Sequence, residues 1–179
     1  HASGDYIKLL PADDTLDPEC IATQLAQFTR YGDRIALTFS ARNIITRTGK
    51  HLMTARFYND EYIDSRQLVK RCIIAGTNVI GEPGAVLFPR TLALTAGKFN
   101  GQYPYVIDLD FWLRLLEHGD AVAIRTALST FRIDQNLSVR IGWGRCSQYL
   151  SFIKRIADRW SFSAITLNRG RFRTVVNEF

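Results

Sequence analysis

The stretch YIKLLPADDTLDP, residues 6–18, decides the expected fold. Its apolar first half predicts a short buried strand that stops before two adjacent carboxylates, Asp13 and Asp14. Asp17 is typical of a helix N-cap, with Pro18 in the first helical position. Ligands of open α/β sheets bind beyond the carboxyl ends of the strands, so this acidic loop is a candidate site for a divalent cation and its phosphates. An ordinary Asp-rich turn is the alternative.

The composition is typical of one globular domain, because 179 residues that are 46% hydrophobic can build a substantial core. No apolar run approaches the roughly 20 residues that cross a bilayer, which predicts a soluble or peripheral protein. The three cysteines form no CxxC pair, so reduced thiols in a cytosolic protein are expected. Phosphate-loop, dinucleotide-binding, nucleophile-elbow and HExxH zinc motifs are absent.

The basic charge is concentrated at the carboxyl end. Residues 1–138 hold 15 basic and 15 acidic side chains, whereas residues 139–179 hold eight basic and two acidic ones, so the net charge of +6 lies in that last segment. This distribution predicts a neutral catalytic or binding body with a tail suited to an anionic surface.

Hydrophobic periodicity predicts alternating helices and strands between these two ends. The expected helices start near residues 18, 65, 91 and 108, and the expected strands cover residues 35–41, 85–88, 122–125 and 128–133. Apolar pairs on either side of Thr48-Gly49-Lys50 predict a hairpin. A long amphipathic helix with Tyr149 and Trp160 on its apolar stripe either packs on the body or lies on a membrane.

The helix expected near residue 108 carries a second pair of acids. Asp108 lies at the predicted N-cap and Asp110 in the first turn, where free N–H groups and the helix dipole favour carboxylates. A structural role is sufficient for either acid, but a fixed carboxylate facing a cleft is also suitable as a general base. The Gly81-Glu82-Pro83-Gly84 loop permits close approach of backbone to a ligand, or is an ordinary turn.

Four motifs in order resemble family 2 glycosyltransferases of the GT-A fold. They are residues 4–14 (GDYIKLLPADD), residues 80–90 (IGEPGAVLFPR), residues 108–114 (DLDFWLR) and residues 131–138 (FRIDQNLS). The resemblance covers about residues 3–140. It implies a partial GT-A, Rossmann-like α/β sheet flanked by helices over residues 1–140, followed by a basic amphipathic helical extension over residues 141–179.

The implied reaction is an inverting transfer of a sugar from a nucleotide-sugar donor to an acceptor hydroxyl of a glycan or lipid-linked acceptor, in cell-surface polysaccharide or glycolipid synthesis. Asp108 matches the catalytic base. A divalent metal, Mg²⁺ or Mn²⁺, is implied at Asp14 and Asp134. The resemblance implies donor or diphosphate binding by Asp13 and Arg132, and support of the acceptor site by Glu82, Asp110, Trp112 and Arg114.

Three positions depart from the family pattern: Pro11 replaces the first signature Asp, Ile107 replaces an acid and Asp134 replaces a His. Family members also begin with strands that build the nucleotide-base pocket, and these do not precede His1. We therefore expect this chain alone to bind donor poorly or to be inactive.

The alternative hypothesis is a non-catalytic fragment or partner subunit that needs another chain for the nucleotide site. Nucleic acid is not expected as a partner. Nucleic-acid-binding domains carry basic patches and recognisable binding motifs, whereas the body of this chain is neutral and has no such motif. An anionic membrane surface is a candidate partner of the basic tail, at a cytoplasmic or inner-face peripheral location.

Overall fold

The computed structural model describes residues 2–56, 60–133 and 142–178 of the chain. It belongs to the α/β class. Six strands of the described chain form one mixed sheet, and helices cover both faces of it. The strands are β1 Tyr6–Lys8, β2 Ile35–Thr46, β3 His51–Ala55, β4 Glu61–Ile63, β5 Val86–Pro89 and β6 Asp120–Ile133. The helices are α1 Cys20–Tyr31, α2 Ser65–Ala75, α3 Arg90–Ala96, α4 Ile107–Leu115, α5 Gly142–Arg159 and α6 Ala164–Glu178.

The order of strands is β1-β5-β2-β6-β4, with β3 paired to β2 as a hairpin. Among the described strands only β2 and β6 run parallel, and the other pairs are antiparallel. The sheet is thus mixed, and the GT-A, Rossmann-like character implied by the resemblance stays a prediction. Strand β1 is a short edge strand that is partly exposed, and the prediction of a buried strand there was wrong.

Alternation along the central strands divides the core into two layers. On β5, Val86 and Phe88 face the layer that α2, α4 and α5 cover, whereas Leu87 faces the layer beneath α1. On β6, Ala121 and Val122 divide in the same way. The acidic loop thus follows an edge strand of a sheet whose centre is filled from both sides.

Strand β6 is continuous where the sequence predicted two strands. Its pairing with β2 jumps from Ser40–Ile124 to Ala41–Ala127, so the register shifts in the middle of the strand. This irregularity coincides with the break between the two predicted strands, because residues there no longer alternate in step with their neighbours.

Helix boundaries follow the local chemistry with small shifts. Helix α2 begins after Asp64, which accepts a hydrogen bond from the Gln67 amide, and ends at Gly76 in the left-handed conformation. Helix α1 begins at Cys20 rather than Pro18, because Asp17 caps a separate turn by accepting the Glu19 amide. No helix in the described ranges is both long enough and apolar enough to cross a bilayer.

Candidate active site

The loop after β1 is tied to the distant strand β6. Asp14 Oδ1 accepts the backbone N–H of Arg132 at 2.8 Å, and Thr15 exchanges hydrogen bonds with Thr130. The backbone N–H of Asp17 donates to Leu128 C=O at 2.9 Å. The predicted placement of the acids at the carboxyl end of a core strand is therefore corrected: β1 delivers them from the edge, and β6 fixes them.

Asp14 keeps one carboxylate oxygen without a hydrogen bond. The residue is 7% exposed, and its Oδ2 is buried without a partner among the described residues. The neighbouring Ser129 Oγ is in the same condition. Burial raises the pKa of Asp14, and the nearby Asp13 and Glu82 add to that rise. Buried polar atoms in native proteins are almost always paired, so these oxygens are suited to a ligand or water.

Glycine at position 84 keeps space open above that oxygen. A Cβ built on Gly84 would lie 3.7 Å from Asp14 Oδ2 and 3.9 Å from both Ser129 Cβ and Thr130 C=O. The Asp14 carboxylate and Ser129 therefore lie beside Gly84, at ordinary contact distance from the position of such a Cβ. Gly81 approaches the guanidinium of Arg42, and close approach of this loop to a ligand stays a prediction.

Asp108 lies in the first turn of α4, where α2 and the loop after it approach. Its Oδ2 accepts Asn78 Nδ2 at 3.1 Å and its Oδ1 accepts the Leu109 amide at 2.7 Å. Burial raises the pKa of Asp108 to about 6, and the negative charge of Glu82 contributes. The predicted N-cap at Asp108 was wrong, because Val106 occupies that position and its carbonyl accepts the Asp110 amide.

Glu82 connects the two candidate carboxylates electrostatically, since its charge raises the pKa of both Asp14 and Asp108. Glu82 itself pairs with Arg42, whose Nε lies 2.5 Å from Glu82 Oε2. The sequence had not indicated Arg42. Glu82 therefore lies near enough to influence both Asp14 and Asp108, and Arg42 neutralises its charge.

Asp110, Trp112 and Arg114 hold α4 in place. Asp110 is 1% exposed and binds two arginines, Arg114 through Nε at 3.0 Å and Arg155 from α5. Arg114 also donates to the carbonyls of Ala96, the last residue of α3, and Lys98. Trp112 Nε1 donates to Gly81 C=O at 3.0 Å. These contacts are compatible with the expected supporting role, and they are made to protein groups.

Arg132 is engaged with the backbone. Its guanidinium donates to the carbonyl of Asp13 at 2.9 Å and to those of Thr46 and Arg47 at the β2–β3 turn. Its positive charge lowers the pKa of Asp14, against the larger effect of burial. Arg132 therefore fixes the acidic loop, and Asp13 contributes its carbonyl while its side chain stays exposed.

The expected metal set is only partly described. Asp134 lies outside the described residues. Among the described ones, no three His, Cys, Asp or Glu side chains are grouped closely enough to hold a metal ion. The unpartnered Oδ2 of Asp14 nevertheless fits a cation such as Mg²⁺, which proteins often hold through one or two carboxylates while substrate phosphates and water supply the other ligands.

Asn78 and Arg155 are site residues that the sequence analysis missed. Asn78 shows a weak local signal, since its Oδ1 also accepts the Ile80 and Gly81 amides in an Asx-type turn. Arg155 shows none, because its partner Asp110 is 45 residues away along the chain.

No model of a known protein family matches this chain. An uncharacterized protein of Mycobacterium tuberculosis (strain CDC 1551 / Oshkosh), MT1568, is 32% identical to it over 124 residues. That similarity covers 64% of this chain and 38% of the mycobacterial protein, so the chain spans well under half the length of this relative. The name of this relative assigns it no activity.

Proposed function

We propose that this chain carries the acceptor-activating and metal-binding groups of an inverting glycosyltransferase that uses a nucleotide-sugar donor. The observation that carries this proposal is the state of Asp108. It is a carboxyl group whose pKa is raised to about 6, oriented by Asn78 and the Leu109 amide. A carboxylate of this kind is still ionised at neutral pH and is a stronger base than an ordinary Asp.

In the proposed reaction, the acceptor oxygen forms a bond to the anomeric carbon while the bond from that carbon to the diphosphate breaks. The electron pair of the broken bond leaves on the diphosphate, and the proton of the acceptor hydroxyl moves to Asp108. Asp14 would hold a divalent cation through Oδ2, and such a cation neutralises the charge of the diphosphate. The negative charge of Glu82 raises the basicity of Asp108, and Arg42 holds Glu82 in place.

The experiment separates binding from turnover. Calorimetric titration of Mn²⁺ and uridine diphosphate into the chain measures the donor edge, and release of nucleoside diphosphate from a panel of nucleotide sugars measures turnover. We expect Asp14→Ala to abolish metal-dependent binding. We expect Asp108→Asn to retain that binding and to lose about 100-fold or more in turnover, the usual contribution of a general base. The exposed Asp33→Asn is the matched control.

Turnover by Asp108→Asn at the wild-type rate would contradict the proposal. Binding without turnover by the wild-type chain, unchanged by Asp108→Asn, would instead favour the alternative of a partner subunit that depends on another chain.

A further inference from the structure

One face of helix α6 packs so closely against α2 that the backbones of the two helices approach each other. Thr166, Gly170 and Thr174 follow one another every four residues and are buried. A Cβ built on Gly170 would lie 2.4 Å from the Ile73 carbonyl oxygen, and one built on Gly76 would lie 2.5 Å from the Thr174 amide nitrogen. Small residues permit this approach to α2, and the close contact fixes the rotation of α6 about its axis.

The opposite face of α6 exposes apolar side chains. Ile165 is 67% exposed and Phe172 is 68% exposed, and they lie seven residues apart, on the same side of the helix as Val175. Because the other side of the helix is bound to α2, these side chains cannot turn toward the core of the described body. The apolar stripe is therefore presented outward by a rigid support.

Arginines flank that stripe on both sides. Arg169, Arg171 and Arg173 are all exposed, and Glu178 is the one acid in the sequence of the helix. The apolar face of helix α5, the other amphipathic helix, is not exposed in this way, because its Tyr149 and Phe152 are buried in the main core. Of the two outcomes that the sequence left open, α5 packs on the body.

We propose that this face of α6 binds the surface of a bilayer that contains anionic lipids, with Ile165 and Phe172 at the headgroup–acyl boundary and the arginines on lipid phosphates. An outward apolar stripe bordered by basic residues is the arrangement of interfacial helices. Nucleic acid offers phosphates but no apolar layer for these side chains. A second copy would bring the same arginines face to face. The proposal does not depend on glycosyl transfer.

The first test uses the full chain and vesicles sedimented after mixing. We expect binding to vesicles of phosphatidylglycerol and phosphatidylcholine, and much weaker binding to phosphatidylcholine alone. Phe172→Ser should weaken binding to the anionic vesicles about tenfold, the effect of losing one buried aromatic side chain. Leu94→Ser is the matched control, because Leu94 on α3 is 70% exposed and lies on another helix.

The second test removes charge. Replacing the three arginines of α6 by glutamine should weaken binding to anionic vesicles about 100-fold at low salt, since each basic residue near such a surface contributes about fivefold. The matched control replaces three exposed basic residues elsewhere, namely Arg30, Lys70 and Arg125. Circular dichroism confirms that each variant is folded.

Three results would overturn the proposal. The first is a folded wild-type chain that does not bind anionic vesicles. The second is an equal loss of binding in Leu94→Ser and Phe172→Ser. The third is a dimer, detected by analytical ultracentrifugation, that Phe172→Ser dissociates while vesicle binding is absent; a second copy would then occupy the face.

Discussion

Asp108 and Asp110 lie two residues apart in the first turn of α4, and their surroundings are opposite. Asp110 is surrounded by the guanidinium groups of Arg114 and Arg155. Asp108 receives only amide hydrogen bonds, from Asn78 and Leu109, and lies near the negative charge of Glu82. One carboxylate is thus saturated by protein cations and stabilises the fold, while the other is left basic. This difference is the reason why Asp108, and not Asp110, is proposed as the general base.

The matched substitutions Asp110→Asn and Asp108→Asn should differ most in their effect on the free energy of unfolding. Asp110→Asn removes the charge that Arg114 and Arg155 neutralise and should lower the free energy of unfolding by about 3 kcal/mol, as breaking a buried pair does. Asp108→Asn at pH 7.5 should be neutral or stabilising, because ionised Asp108 is disfavoured by burial. Urea unfolding monitored by circular dichroism measures both. Equal losses would remove the proposed distinction.

The pH dependence of stability should distinguish Asp108 in a second way. Its pKa rises from 3.8 to about 6 on folding, so the folded chain binds more protons than the unfolded chain between these values. The contribution is fully present below pH 4 and is lost as pH rises through about 6. Relative to wild type, Asp108→Asn should therefore gain about 2 kcal/mol between pH 4 and pH 7. A pH-independent difference in urea unfolding would argue against the raised pKa.

Arg155→Met should have a smaller effect, and it should be confined to the Asp110 side. Arg155 is partly exposed and Arg114 remains on Asp110, so we expect a loss of about 1 kcal/mol in unfolding free energy. The same substitution combined with Asp110→Asn should cost less than the sum of the two, which a double-mutant cycle measures. The pKa of Asp108 should not change. A large change in that pKa would mean that Asp108 and Asp110 are coupled.

Asn78→Ala should produce the smallest change. The hydrogen bond from Asn78 lowers the pKa of Asp108 against the larger effect of burial, so its loss should move that pKa further upward. The acid limb of any pH–rate profile would move in the same direction. A downward movement would show that Asn78 does not donate to the ionised carboxyl.

Local signals in the sequence predicted much of the fold. The start of α2 near residue 65 and the Thr48-Gly49-Lys50 hairpin depend on residues within a few positions of one another, and the structure has both. The edge position of β1 and the Asp14–Arg132 hydrogen bond were not predictable in this way. They depend on pairing between segments far apart in the chain, which periodicity does not encode.

The candidate site divides along the same line. Local signals made Asp14 and Asp108 candidates, because carboxylates at loop and helix starts are visible locally, and the resemblance added Glu82. The sequence did not identify which acid is neutralised, because the deciding cations Arg42 and Arg155 come from β2 and α5. The roles of Asp13 and Arg132 toward a diphosphate remain predictions, and the structure adds that both fix the acidic loop.

A titration of the Asp108 carboxyl carbon by ¹³C NMR measures directly whether the pKa of Asp108 is raised. Comparison of the wild-type and Asp108→Asn spectra assigns the signal. The raised pKa predicts an inflection of this signal at about pH 6. An inflection near pH 4, the value of an ordinary Asp, would mean that Asp108 is not set apart as a base.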